Sequence, residues 1–253
     1  MRRYGLILLV LALSLLEGAS VVSAQSAKKG KLLYMTLTKG YRHATVDLSK
    51  QIVKEIGDRS GLYETTVTED VGLFTRDNLK NYDVIMFNTT GELPMTDEQK
   101  KEFIDFVRNG KGFVGVHSAT DTFYMWAEFG ELIGGYFNGH PWHEMVTIEV
   151  ADPSSPIVGF LGKSFQINDE IYQVSDFQYK DSHVLLRLDR NSVDLKKPGV
   201  MHRHYGWPIA WTRSFGKGRV YYNGLGHDDW VWKDPRFQDM LRNGIQWVLG
   251  APR

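Results

Sequence analysis

The chain carries eight histidines and no cysteine. Near neutral pH its nitrogen ligands and proton carriers are therefore imidazoles, and it has no thiol nucleophile and no thiolate metal ligand. The histidine that its surroundings single out is His117. It ends the run Gly112-Phe113-Val114-Gly115-Val116 and is followed by Ser118-Ala119-Thr120-Asp121. A short apolar run rich in Val and Phe and bracketed by Gly110 and Gly112 reads as a fully buried strand of a parallel sheet. The carboxyl end of such a strand faces the crevice where open α/β sheets bind ligands. His43 follows an earlier apolar run in the same way, and His227 a later one. Three imidazoles at strand ends suit acid/base work near pH 7 or a metal site with nitrogen ligands, so His43, His117, His140 and His227 are the candidate metal ligands.

His140 and His143 have an H-x-x-H spacing, but Gly139 and Pro141 place it in a loop, where the spacing fixes nothing. His140 is the better candidate, and His143 reads as the first residue of a strand. His202 and His204 would share one face of a strand, although an exposed loop is the default for them. Glu170 is the best carboxylate, able to ligate a metal, orient a histidine or act as a base. The catalytic candidates are thus His117, Glu170 and His227. Asp121 is placed to cap a following helix. Arg42 and Asn88, also at strand ends, could hydrogen-bond hydroxyl groups. Of the seven tryptophans, Trp211 falls mid-strand and reads as core. Trp142, Trp230 and Trp232 fall in loops near the candidate histidines, and Trp142 and Trp230 are the expected platforms for the apolar faces of a sugar ring.

The elements that must position these groups alternate. Strands are expected over 32–38, 63–68, 83–88 and 112–117. Between them come helices over 45–58, 78–82 and 96–109, the last opened by a Thr96…Gln99 capping box. This β-α-β order implies a parallel sheet with right-handed crossovers. A helix over 123–133 and an irregular loop to His143 follow. The pattern then turns antiparallel: a strand over 145–150, a strand-loop-strand over 164–174 that turns at Asp169-Glu170, and a strand over 183–188. A hairpin joins 208–212 to 219–224, and a last helix starts at Asp234-Pro235.

Arg2 and Arg3, the apolar run Leu6 to Leu16 and the small residues Val22-Ser23-Ala24 read as a secretory signal peptide over 1–24. The run is far shorter than the roughly 20 residues a bilayer needs, and no cysteine stands at the cleavage site to carry a lipid anchor. Residues 25–253 then form a single exported domain, periplasmic or secreted. Removing Arg2, Arg3 and Glu17 leaves 28 basic against 29 acidic residues. A near-neutral chain without basic runs has no electrostatic claim on nucleic acid or anionic membrane.

Five stretches in order resemble the ThuA-like (trehalose utilisation) family: Lys39-Gly-Tyr-Arg-His43, Gly112 to Asp121, Gly134 to Pro141, Asp169-Glu-Ile-Tyr172, and Ile209-Ala-Trp211 with Gly216 to Tyr222 and Leu225-Gly-His227. The resemblance covers essentially the whole mature chain. It implies a flavodoxin-like three-layer α/β fold related to class I glutamine amidotransferases, mainly parallel, with helices on both faces and an antiparallel extension. It also implies a place in bacterial sugar catabolism, of trehalose or 3-keto-glycosides. In the amidotransferase relatives the turn at His117 carries a nucleophilic cysteine, so glutaminase chemistry is excluded here. The G-x-S-x-G elbow of hydrolases is absent too, because Ser118 stands one position late.

The expectation is a protein that binds a small saccharide or glycoside at the carboxyl edge of the sheet. It would act on the ligand by histidine acid/base chemistry or with a divalent metal as electrophile. A metal-dependent glycoside hydrolase and a sugar-binding module without turnover are the rival readings.

Overall fold

A computed structural model describes residues 28–250; the leader expected over 1–24 lies outside the described residues. Strands β1 (Gly30–Met35), β2 (Tyr63–Thr68), β3 (Val84–Phe87) and β4 (Gly112–Val116) alternate with helices α1 (Val46–Ser60), α2 (Arg76–Leu79) and α3 (Asp97–Arg108). Then follow α4 (Ala127–Ile133), β5 (Tyr136–Phe137), β6 (Trp142–Val150), β7 (Ser164–Ile171), β8 (Val174–Ser175), β9 (His183–Leu188), β10 (Pro208–Phe215) and β11 (Gly218–Asn223). The chain ends in α5 (Asp229–Lys233) and α6 (Pro235–Leu249). Among the described residues no helix is long and apolar enough to cross a membrane.

One nine-stranded sheet runs in the order β2-β1-β3-β4-β11-β10-β9-β6-β7. The first five strands are mutually parallel, and β10, β9, β6 and β7 continue antiparallel. Alternation along the parallel strands sends side chains into two cores. Leu32, Tyr34, Val114 and Val116 pack with Ile52, Val53 and Ile56 of α1 and Met240, Leu241 and Ile245 of α6. Leu33, Met35, Ile85 and Phe113 pack with Phe103 and Val107 of α3 and Phe129 and Ile133 of α4 on the other face. The three layers follow from this division. The Thr96…Gln99 capping box opens α3 as expected.

Gly244 of α6 lies directly over the Tyr221 ring of β11, where an added Cβ would overlap the ring. Gly244→Ala should therefore lower unfolding stability by about 1–3 kcal/mol, because a buried tyrosine cannot withdraw. Urea denaturation measures it, and an unchanged midpoint would refute the packing.

Three local expectations are corrected. The helix expected over 123–133 begins only at Ala127. Phe123 has a φ of 57° and packs fully buried against Trp126 and Phe129, so its backbone leaves the helical region to bury the ring. The irregular loop over 134–143 holds the two-residue β5, which pairs with β8, and gives its last two residues to β6. Asp169-Glu170 is no turn. It lies inside β7, opposite Glu144 and His143. Two adjacent acids signal a solvated turn, but the partners that let Asp169 stay buried lie 57 and 58 residues away in sequence.

Those partners also set the shape of the sheet. From β11 to β7 there are four inter-strand steps, about 19 Å in a flat sheet. Yet the Asp169 carboxylate accepts a hydrogen bond of 2.7 Å from the Gly226 N–H just past β11. The loop that leaves β11 at Asn223 and the twist of the sheet together bring β7 to the carboxyl ends of the parallel strands.

Candidate functional site

At the end of β4 the backbone turns at His117 with a φ of 43°. The left-handed region is costly for a non-glycine residue and persists only where neighbours hold it. Tyr222 supplies the hold: its hydroxyl donates to the His117 carbonyl at 2.7 Å. The turn drops the imidazole into the interior, fully buried. Its Nδ1 lies 2.9 Å from the Gly224 carbonyl. A carbonyl only accepts, so Nδ1 carries the proton and Nε2 keeps its lone pair. Nε2 is buried and has no partner.

The loops after β1 and β11 bring two more imidazoles to it. The loop after β1 is tied to its neighbour by a Thr38–Thr90 bridge and by the Thr90 hydroxyl donating to the Tyr41 carbonyl. It buries His43, whose ring centre lies 4.8 Å from that of His117 and 5.0 Å from that of His227. His43 Nδ1 is a second buried nitrogen without a partner, and its Nε2 is 3.5 Å from the Tyr172 hydroxyl. Each of His43, His117 and His227 offers a ring nitrogen within 4.8 Å of the others.

Strand β7 delivers the carboxylates. Asp169, fully buried, accepts from the N–H groups of Gly226 and His227 at 2.7 and 3.1 Å and so fixes the loop that carries His227. Glu170 reaches the histidines themselves, with Oε2 at 2.8 Å from His227 Nδ1 and Oε1 at 3.4 Å from His140 Nδ1. Tyr172 closes the floor, its ring centre 4.2 Å from that of His117.

Burial and charge divide these groups by protonation state. Burial, with the charge of His227 adding to it, pushes His43 down to about 4. Burial and then the neighbouring His43 push His117 well below the ordinary imidazole range. Both are neutral at pH 7. Burial opposes charge at Glu170 and His227 too, but each is the other's partner. The His227 imidazole holds Glu170 below the usual carboxylate range, and Glu170, aided by Asp228 and Asp169, holds His227 above its usual value. The site is therefore two neutral imidazoles, each with a buried nitrogen that has no partner, beside a carboxylate–imidazole pair.

The structure brings His43, His117, His140, Glu170 and His227 together and sends other candidates elsewhere. Trp142 is no loop platform. It opens β6 fully buried, with Nε1 donating to the Asp194 carbonyl. Asn88 is buried beneath the site, its amide engaged by Ser118 and Ser49, so it presents nothing to a ligand. Arg42 is held by ion pairs to Asp47 and Glu69 at 3.2 and 3.3 Å. Asp121 caps no helix. It accepts from the Tyr124 hydroxyl at 2.6 Å, and burial raises its carboxyl above the usual range. Trp230 is half exposed on α5, pinned by Nε1 to the Asn168 carbonyl. Trp232 is core. His143, the exposed second residue of β6, stays beside the site: its ring centre lies 5.0 Å from that of His227 and its Nε2 pairs with Asp228 at 2.7 Å. His202 and His204 lie in an exposed loop.

Sequence reasoning missed the parts played by Asp169, Tyr172 and Tyr222. The one signal for the first two was their flanking of Glu170 within Asp169-Glu-Ile-Tyr172.

A model of the ThuA family, described as trehalose utilisation, matches residues 31–248. The chain belongs to this family. Membership supports a role in sugar metabolism. No curated protein matches the chain in sequence. Among solved structures it is similar to a ThuA-like protein of Bacteroides uniformis, 26% identical, with a TM-score of 0.76 over 91% of this chain and 96% of that one. A ThuA-like protein of Parabacteroides merdae is 20% identical, with a TM-score of 0.71 over 88% and 90%. The β-galactosidase of Rahnella sp. R3 shares the fold alone: 13% identity and a TM-score of 0.54 over 89% of this chain and 32% of that one. The ThuA fold expected from the sequence is thus the one observed.

Proposed function

We propose that this ThuA-family chain is exported and cleaves a small 3-keto-glycoside at the carboxyl edge of its sheet, with a divalent cation held by His43, His117 and His227. The carrying observation is that three imidazoles distant in sequence converge, two of them neutral and each keeping a buried nitrogen that no protein group satisfies. Ligating histidines characteristically bind through one nitrogen and give the other to a carbonyl or carboxylate. His117 does so toward Gly224, and His227 Nδ1 stands at ion-pair distance, 2.8 Å, from the Glu170 carboxylate. Three histidine ligands leave a coordination position open, as catalytic zinc sites do. Export rests on the Arg2-Arg3, Leu6 to Leu16 and Val22-Ser23-Ala24 pattern.

A bound cation would supply the electrophile that draws charge onto the keto oxygen. Glu170, ionised at neutral pH, would take the proton from the carbon beside the keto group. The electron pair left behind forms the carbon–carbon double bond as the glycosidic C–O bond breaks. The same proton returns to the departing oxygen through His140, 3.4 Å from Glu170 and open to solvent. Trp230 on α5 and Tyr41 and Tyr124 on loops, all exposed aromatics, would carry the apolar faces of the sugar.

Incubating the protein with trehalose, other disaccharides and their 3-keto forms tests this. The 3-keto forms should be consumed, the activity should fall at least ~100-fold on chelation, and added zinc or manganese should restore it. Turnover that survives the chelator would make His117 the base instead of a ligand. Binding of the whole panel without any product would leave a sugar-binding module.

A further inference from the structure

The segment His202-Arg203-His204 takes no part in the histidine site. It lies instead over a separate pocket of about 370 Å³ between the start of β10 and the end of β9. Three guanidiniums, Arg187, Arg190 and Arg203, line this pocket against one carboxylate, Glu149. Of the other eight arginines described, Arg42, Arg76, Arg108, Arg236 and Arg242 each have an acidic partner within ion-pair distance, whereas Arg59 and Arg219 are held by uncharged groups and Arg213 is buried. The three around the pocket have no such acidic partner among the described residues. Arg187 is partly buried, and its Nη1 donates to the Tyr205 carbonyl at 2.6 Å, which leaves its other donors free. Arg203 meets only the Met201 sulfur, at 3.6 Å.

Three like charges facing a single carboxylate, Glu149, which lies opposite Arg187 across β6 and β9, still repel one another and destabilise the fold locally. An arrangement of that kind has a physical reason when an anion neutralises it, because guanidinium forks bind planar and tetrahedral oxyanions bidentately. The floor of the pocket is apolar. Leu188 and Trp207 are both buried, and the indole is fixed by its Nε1 donating to Gln173 at 3.2 Å. The volume suits one ring and its substituent, at the small end of ligand pockets.

We propose that this pocket binds a monosaccharide-sized ring carrying a carboxylate, sulfate or phosphate group. The oxyanion is held by Arg187, Arg190 and Arg203, and the ring lies against Trp207. The site is independent of the histidine cluster and stands whether or not the proposed cleavage does.

Calorimetric titration of the intact protein with glucuronate, glucose 6-phosphate, glucose and sodium sulfate tests it. Both charged sugars should bind more tightly than sulfate, and glucose should not bind. The double variant Arg190→Ala/Arg203→Ala should weaken binding at least ~10-fold. Glu149→Gln, which removes the one opposing charge, should tighten it about two- to fivefold. The second variant gains affinity, so misfolding cannot imitate it. Zinc uptake by the histidine site should be the same in all three proteins. Absent binding, affinity unchanged in both variants, sulfate binding as tightly as the charged sugars, or response only to a long polyanion such as heparin would each overturn the proposal.

Discussion

Replacing His117 with asparagine should weaken cation uptake and lower turnover of a 3-keto-glycoside, each at least ~10-fold, while leaving the fold intact. Asparagine is chosen for the backbone. Position 117 sits at a φ of 43°, which asparagine tolerates better than alanine. Its side-chain amide can still donate toward the Gly224 carbonyl that now accepts from Nδ1. What it cannot supply is the second ring nitrogen, the buried Nε2 without a partner. Loss of one ligand of three costs at least what loss of an outer partner does, about 10- to 100-fold in affinity or rate. Zinc titration with a competing chelator and thermal unfolding read the two effects separately. Near-normal uptake and turnover in a folded His117→Asn variant would remove His117 from the chemistry.

The second large effect concerns stability. Burial pushes the Asp169 carboxyl up to about 7, against the backbone N–H groups of Gly226 and Glu170 that favour its anion. A carboxyl raised above its unfolded value of 3.8 contributes stability that is complete below about pH 4. That contribution is lost as the pH rises through about 7. An upward displacement of about three pH units corresponds to about 4 kcal/mol between those limits. Asp169→Asn cannot ionise. It keeps an oxygen for one of the Gly226 and His227 N–H groups and strands the other, at about 1–3 kcal/mol at every pH. Wild type should therefore be the more stable protein at pH 4, and its advantage should shrink as the pH rises until the variant is the more stable by pH 8. Urea midpoints of both proteins across that range give the comparison. A difference that stays flat with pH would show that Asp169 is ionised throughout.

The parallel half of the fold was legible because its signals are local. Apolar runs bounded by glycine, a capping box at Thr96 and Pro235 at a helix start each act within a few residues. His43, His117 and His227 were legible for the same reason, since each follows a strand that its own neighbours define. The carboxylate side was harder. Asp169 and Glu170 look like turn residues, and only distant partners explain why they can be buried in a strand. Trp142 failed as a loop platform because what buries it lies elsewhere in the chain: Trp207 packs on it and the Asp194 carbonyl takes its N–H. Phe123 departed from its helical pattern for the sake of ring burial. Local spacing reports the period of an element, not which distant group will satisfy a polar atom.

The placement of β11 has a kinetic consequence. The strand beside β4 in the middle of the sheet comes from the last fifth of the chain, so β4 stays an open edge until residues 218–223 arrive. His117 finds its carbonyl partner 107 positions downstream, and His43 meets Tyr172 at a separation of 129. Closing such distant contacts is slow. A chain that emerges amino terminus first therefore waits, competent in its helices yet without an assembled pocket, until its end is free. Folding and acquisition of ligand should then appear as one late, concerted event, with no partly active intermediate before it.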